Sequence, residues 1–84
     1  MTLPSQPVTL TVAQIEDLNR QLSTLRHDIN NNLSVLVAAA ELIRHRPQLA
    51  EGMLTKLTEQ PAKINDSLNK FSLEFERVFG ITRM

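Results

Sequence analysis

Residues 11–46 read TVAQIEDLNRQLSTLRHDINNNLSVLVAAAELIRHR. Apolar residues recur there in alternating steps of three and four: Ile15, Leu18, Leu22, Leu25, Ile29, then Asn32, Leu36, Ala39 and Ile43. That spacing is a heptad seam with one polar interruption at Asn32. Thr11 and Gln14 form a capping-box pattern, in which the hydroxyl accepts the Gln14 N–H and the Gln14 side chain reaches back. Leu10 and Ile15 occupy the staple positions on either side of that cap. Leu33, Val37 and Ala40 widen the stripe on one side, and Val35 and Leu42 widen it on the other. Such a width suits a bundle better than a two-stranded coil. No Gly or Pro interrupts the stretch, which predicts a helix over about 12–45.

Outward from that helix, Pro47 ends the run, because proline disfavours helical geometry in the residue before it. The turn is expected at 46–48, with Pro47 opening a second helix over about 49–79. The code then repeats as Ala50, Leu54, Leu57, Pro61, Ile64, Leu68, Phe71, Phe75 and Val78, and Gly80 is the expected stop. Gly52 weakens the start of the second helix by about 1 kcal/mol relative to alanine. Pro61 lies on its seam and is expected to bend it without ending it, since the heptad continues in phase. Glu16/Arg20, Glu59/Lys63 and Asp66/Lys70 stand at i,i+4 in the favourable order. Residues 1–10 carry Pro4 and Pro7 and no period, so they read as a flexible lead-in, with 81–84 as a tail. A short turn makes the helices antiparallel neighbours. Two helices cannot enclose stripes this wide, so the expected fold is all-α: a two-helix antiparallel hairpin that homodimerises into a four-helix bundle.

Composition narrows the function. A chain of 84 residues is one domain at most, and a single core of that size is marginal. There is no Cys, which excludes disulfides and thiolate metal sites. Nine Lys plus Arg balance nine Asp plus Glu, a poor footprint for nucleic acid or an anionic membrane. The longest nearly uncharged run, Leu33 to Ala40, is too short for membrane insertion, and no signal peptide is evident. A cytoplasmic location is expected.

The chemistry concentrates in Leu25-Arg26-His27-Asp28-Ile29-Asn30-Asn31-Asn32-Leu33. With Leu25 and Ile29 on the seam, His27 falls opposite the core and Asn31 follows one turn later on the same face. Asp28 flanks the histidine on the seam side. A neutral exposed imidazole attacks a phosphoryl group through one nitrogen while a carboxylate accepts or orients the proton on the other. A carboxamide one turn away can orient water in the hydrolytic direction.

This segment resembles the phosphoacceptor box of bacterial sensor histidine kinases, in their dimerisation and histidine-phosphotransfer domain. That box reads His, Glu or Asp, two variable residues, Asn or Thr, usually Pro, then Leu; here His27, Asp28, Ile29, Asn30, Asn31, Asn32 and Leu33 stand in its place. The resemblance covers nearly the whole of residues 11–80, since the family fold is also a dimerising helical hairpin. It implies His27 as phosphoacceptor, Asp28 as base and Asn31 as the residue that positions water in phosphatase activity. It implies a homodimer and, as partners, a response-regulator receiver domain, a separate histidine kinase, or both; the balanced charge leads us to expect no nucleic-acid partner. No cofactor of its own is implied; magnesium belongs to the receiver.

Two departures qualify the resemblance. Asn32 replaces the usual proline, and in an antiparallel hairpin Pro61 lies roughly level with Leu33, so the bend is expected in the second helix instead of the first. The kinases also carry an ATP-binding domain with a Gly-rich lid. These 84 residues contain only Gly52 and Gly80, so no autonomous kinase activity is expected. The initial Met and its proline-containing lead-in favour a stand-alone chain over a segment of a full kinase. The alternative function is a non-catalytic, kinase-like dimerisation module that acts as scaffold or inhibitor of a histidine kinase or receiver. Plainer readings stand beside the residues themselves. Asn31 reads equally well as a solvated helix residue. Asn32 reads as a register-setting polar residue, and His45 as a surface histidine near a helix C-terminus.

Overall fold

The capping box forms as the sequence requires. Thr11 lies extended, with φ −76° and ψ 160°. Its hydroxyl accepts the Gln14 N–H at 3.0 Å, and its own N–H donates to Gln14 Oε1 at 2.8 Å. From that cap α1 runs Val12–His45. The computed structural model describes residues 2–81; Met1 and positions 82–84 of the expected tail lie outside them.

Arg46 leaves helical geometry, as the residue before a proline does, while its N–H still donates to the Leu42 carbonyl at 2.8 Å. Pro47 opens a single 3-10 turn, Pro47–Leu49, and not the second α-helix. The Leu49 N–H returns to the Arg46 carbonyl at 2.9 Å. The turn passes directly into α2, Ala50–Phe79, which continues unbroken through Pro61. At its end Gly80 is left-handed, with φ 67°. Its N–H meets Arg77 O at 3.4 Å, and the Ile81 N–H meets Glu76 O at 2.8 Å. That pair of bonds is a Schellman closure, which favours glycine because the left-handed backbone crowds a Cβ.

The two helices pack side by side as a plate of 58 × 28 × 12 Å. The thin dimension is one helix diameter, so nothing lies above or below the contact between α1 and α2. The radius of gyration is 18.0 Å, against about 12 Å for a compact domain of this length. Among the described residues only Ala39 and Gln60 are fully buried, each 3% exposed. No described helix is long and apolar enough to cross a membrane.

On α1 the expected seam is half-buried at Leu18, Leu22, Leu25, Ile29, Asn32, Leu36 and Ile43, with Ala39 fully covered, and Asp17, Gln21 and Asp28 are half-buried along one flank of it. Ile15 departs from that expectation and stays exposed. On α2 the seam turns to one side of the expected one. Ala50, Met53, Leu57, Gln60, Ile64, Ser67, Phe71, Glu74 and Val78 face α1. Leu54, Pro61, Leu68 and Phe75, expected on the seam, are exposed. The physical reason is width: one neighbouring helix covers two rows of side chains, and the apolar stripe of α2 is three rows wide. None of the three expected i,i+4 ion pairs is closed. Arg20 instead pairs with Asp17 at 2.9 Å, one turn earlier.

Candidate phosphoacceptor site

His27 lies near the middle of α1, two residues past Leu25, which α2 half-covers. A helix turns about 100° per residue, so His27 points away from the contact with α2. Its side chain is 74% exposed. Nδ1 stands 3.8 Å from Oδ1 of Asp28, beyond a hydrogen bond but within electrostatic reach. Asp28 is half-buried, on the flank of the seam. Asn31 is exposed one turn further along.

Two grooves lie on this flank, and Asp28 lines both. The first, about 490 Å³, has an apolar floor of Leu25 and Phe71 between Arg20 on α1 and Lys70 on α2. The second, about 320 Å³, brings Asn31 and Asn32 level with Lys63 and Asp66. The structure therefore brings Asp28 and Asn31 to one groove and keeps His27 on the outer rim beside it. Lys63 and Lys70 were not legible as neighbours of the site. The signal for them is the seven-residue spacing of Lys56, Lys63, Lys70 and Arg77, read together with the antiparallel register.

Charge along the flank is balanced. Arg20 is held by Asp17, and Gln21 Nε2 also donates to Asp17, at 2.7 Å. Arg77 Nε donates to Glu74 at 3.1 Å, and this bond first, then the charge of the guanidinium, holds the Glu74 carboxyl below the usual carboxylate range. A lowered folded value means that any stabilisation is present at neutral pH and is lost as pH falls through it; on an exposed pair that contribution is small. Near the turn, His45 pairs with Glu41 at 3.5 Å, as a surface histidine does. Among the described residues no group of three His, Cys, Asp or Glu is placed to hold a metal ion.

The arrangement offers an accessible imidazole, a carboxylate beside one of its nitrogens and a carboxamide one turn away. That set suits nucleophilic transfer of a group to nitrogen. No family model matches the chain, and neither a curated protein nor a solved structure does.

Proposed function

We propose that the chain is a histidine-kinase-like phosphoacceptor protein of two-component signalling. It acts in the cytoplasm as a homodimeric four-helix bundle and relays a phosphoryl group through His27 to or from a response-regulator receiver domain. The observation that carries the reading is the phase of His27: a 74% exposed imidazole with a carboxylate 3.8 Å from Nδ1, midway along a helix whose opposite face packs.

In the step that loads the protein, Nε2 attacks the phosphorus of an aspartyl phosphate. The N–P bond forms as the P–O bond to the partner's aspartate breaks, and that carboxylate leaves with the electron pair. The ring becomes cationic, and Asp28 stabilises or takes the Nδ1 proton. Magnesium is supplied by the receiver, as is usual for a cation that bridges carboxylates and phosphate oxygens. Unloading is the same sequence reversed. Asn31 serves hydrolysis, by orienting water. A separate histidine kinase is the other source of phosphoryl groups.

The test is the intact mass of the protein after incubation with phosphoramidate, with His27→Ala alongside. An acid-labile adduct on the wild type alone is expected. A folded wild type that takes up no phosphoryl group, from phosphoramidate or from a phosphorylated receiver, sinks the reading. The second reading, a scaffold or inhibitor of a kinase or receiver, is favoured by the uncovered apolar face of the plate. It requires that His27→Ala bind its partner as the wild type does.

A further inference from the structure

The groove floored by Leu25 and Phe71 lies where the contact between the helices is left unfilled. On α2 the contact positions on either side of Phe71 are Ser67 and Glu74, and both are half-buried. Ser67 is far smaller than the neighbouring contact residues Ile64 and Phe71. Glu74 turns its carboxylate along its own helix to Arg77, whose Nε donates to it at 3.1 Å. Thr24, another short side chain, lines the groove from α1. The space left open is about 490 Å³, which is within the range of small-molecule sites between packed helices.

Four charged groups line this groove: Arg20 and Asp28 from α1, Lys70 and Glu74 from α2. Two of them are already paired. Arg20 is held by Asp17 at 2.9 Å, and Glu74 by Arg77. The other two are not. Asp28 has only the His27 ring beside it, at 3.8 Å, and that ring is a cation only when protonated. Lys70 closes no ion pair among the described residues, either with Asp66 on its own helix or with Asp28 across the groove. The groove therefore offers a free carboxylate on one wall and a free ammonium on the other, beside an apolar floor.

We infer that this groove binds a free α-amino acid with a large apolar side chain. The ligand's carboxylate meets the Lys70 ammonium, its ammonium meets Asp28, and its side chain lies on Leu25 and Phe71. A zwitterion is what selects the class. A plain carboxylic acid is drawn to Lys70 but repelled by Asp28, and a plain amine is drawn to Asp28 but repelled by Lys70. The hydroxyls of Ser67 and Thr24 line the same groove and can take the remaining hydrogen bonds of the two charged groups. One consequence rests on the function proposed above: an occupied groove engages the carboxylate that serves the Nδ1 proton of His27, so the ligand restrains phosphoryl uptake.

The experiment is a titration of the full, isotope-labelled chain with L-phenylalanine, read from the amide resonances. Saturable shifts are expected at Thr24, Leu25, Ser67, Lys70 and Phe71, with a Kd of about 1 mM, the scale for a ligand of this size in an open groove. Phenylpropionate and phenethylamine, which carry one charge each, should bind about 10-fold more weakly, as expected when one charged contact is lost. Lys70→Met should weaken phenylalanine by about the same factor. Lys63→Met, outside this groove, should bind as the wild type does. Ser67→Leu should fill the groove and abolish binding in a chain that still melts cooperatively. No saturable shift up to about 10 mM overturns the site. Phenylpropionate binding as tightly as phenylalanine removes Asp28 from recognition and overturns the ligand class. Equal losses from Lys63→Met and Lys70→Met reduce binding to diffuse charge attraction and overturn the groove. None of these readouts depends on phosphorylation, so a chain that binds phenylalanine but takes up no phosphoryl group sinks the function and leaves this site standing.

Discussion

Nδ1 of His27 and Oδ1 of Asp28 lie 3.8 Å apart although the two residues are adjacent in a helix, where neighbouring side chains diverge. The aspartate lies on the flank of the contact with α2, its side chain 47% exposed, whereas the histidine side chain is 74% exposed. On the function proposed above, this carboxylate is the group placed to take the Nδ1 proton.

Asp28→Asn should therefore slow phosphoryl uptake by about 100-fold, the usual scale for losing a positioned proton acceptor. Stability should change by less than about 0.5 kcal/mol, because no hydrogen bond or neighbour inside the contact is lost. Time-resolved intact-mass measurement with phosphoramidate, beside a thermal melt, checks both. An unchanged rate would remove Asp28 from the reaction.

Asn31→Ala should leave phosphoryl uptake within about twofold, since neutral surface changes of this kind rarely disturb a remote group. The proposed function gives its carboxamide to water and not to the imidazole. The effect should then fall on the loss of phosphate from a receiver mixed with the protein. A matching fall in uptake would move Asn31 into the forward step.

Gly52 sits in the first turns of α2 with ordinary helical geometry, and a Cβ built there meets nothing within 4 Å. Gly52→Ala should raise stability by up to about 1 kcal/mol through helix propensity and a stiffer unfolded chain. Chemical denaturation should show a higher midpoint with an unchanged slope. The same substitution at Gly80 should cost stability, because φ there is 67°.

The helices, the cap at Thr11 and the stop at Gly80 were legible because each is a local device, read from residues within one or two turns. The outward phase of His27 was legible for the same reason, through Leu25 and Ile29. The side of α2 that meets α1 was not. Its stripe holds Met53 and Leu54, Gln60 and Pro61, Ser67 and Leu68 as adjacent pairs, and periodicity does not say which of each pair serves the hairpin. The choice falls on Met53, Gln60 and Ser67, which leaves the more apolar row for an outside surface. The grooves were hidden too, because Lys63 and Lys70 line them with Asp28 only through the register of two helices.

Gln60 is the most costly residue of that contact. It is 3% exposed, its Nε2 donates to the Lys56 carbonyl at 3.0 Å, and its Oε1 has no partner. Pro61, next along the chain, has no N–H to give the Leu57 carbonyl one turn back, so polar groups are under-satisfied around this level of α2. An unpartnered buried carbonyl costs about 1–3 kcal/mol, more than the single bond from Nε2 returns. Gln60→Met keeps length and flexibility and removes the stranded oxygen. It should stabilise the protein by about 1 kcal/mol, or about 5 °C in Tm for a domain of this size. Melts must be compared at equal protein concentration, because the Tm of a dimer, the state proposed above, rises with concentration. A loss of stability would mean that Oε1 finds a donor in the dimer. Gln60 would then be a register-setting group of the proposed bundle, and its replacement should also lower the cooperativity of the melt.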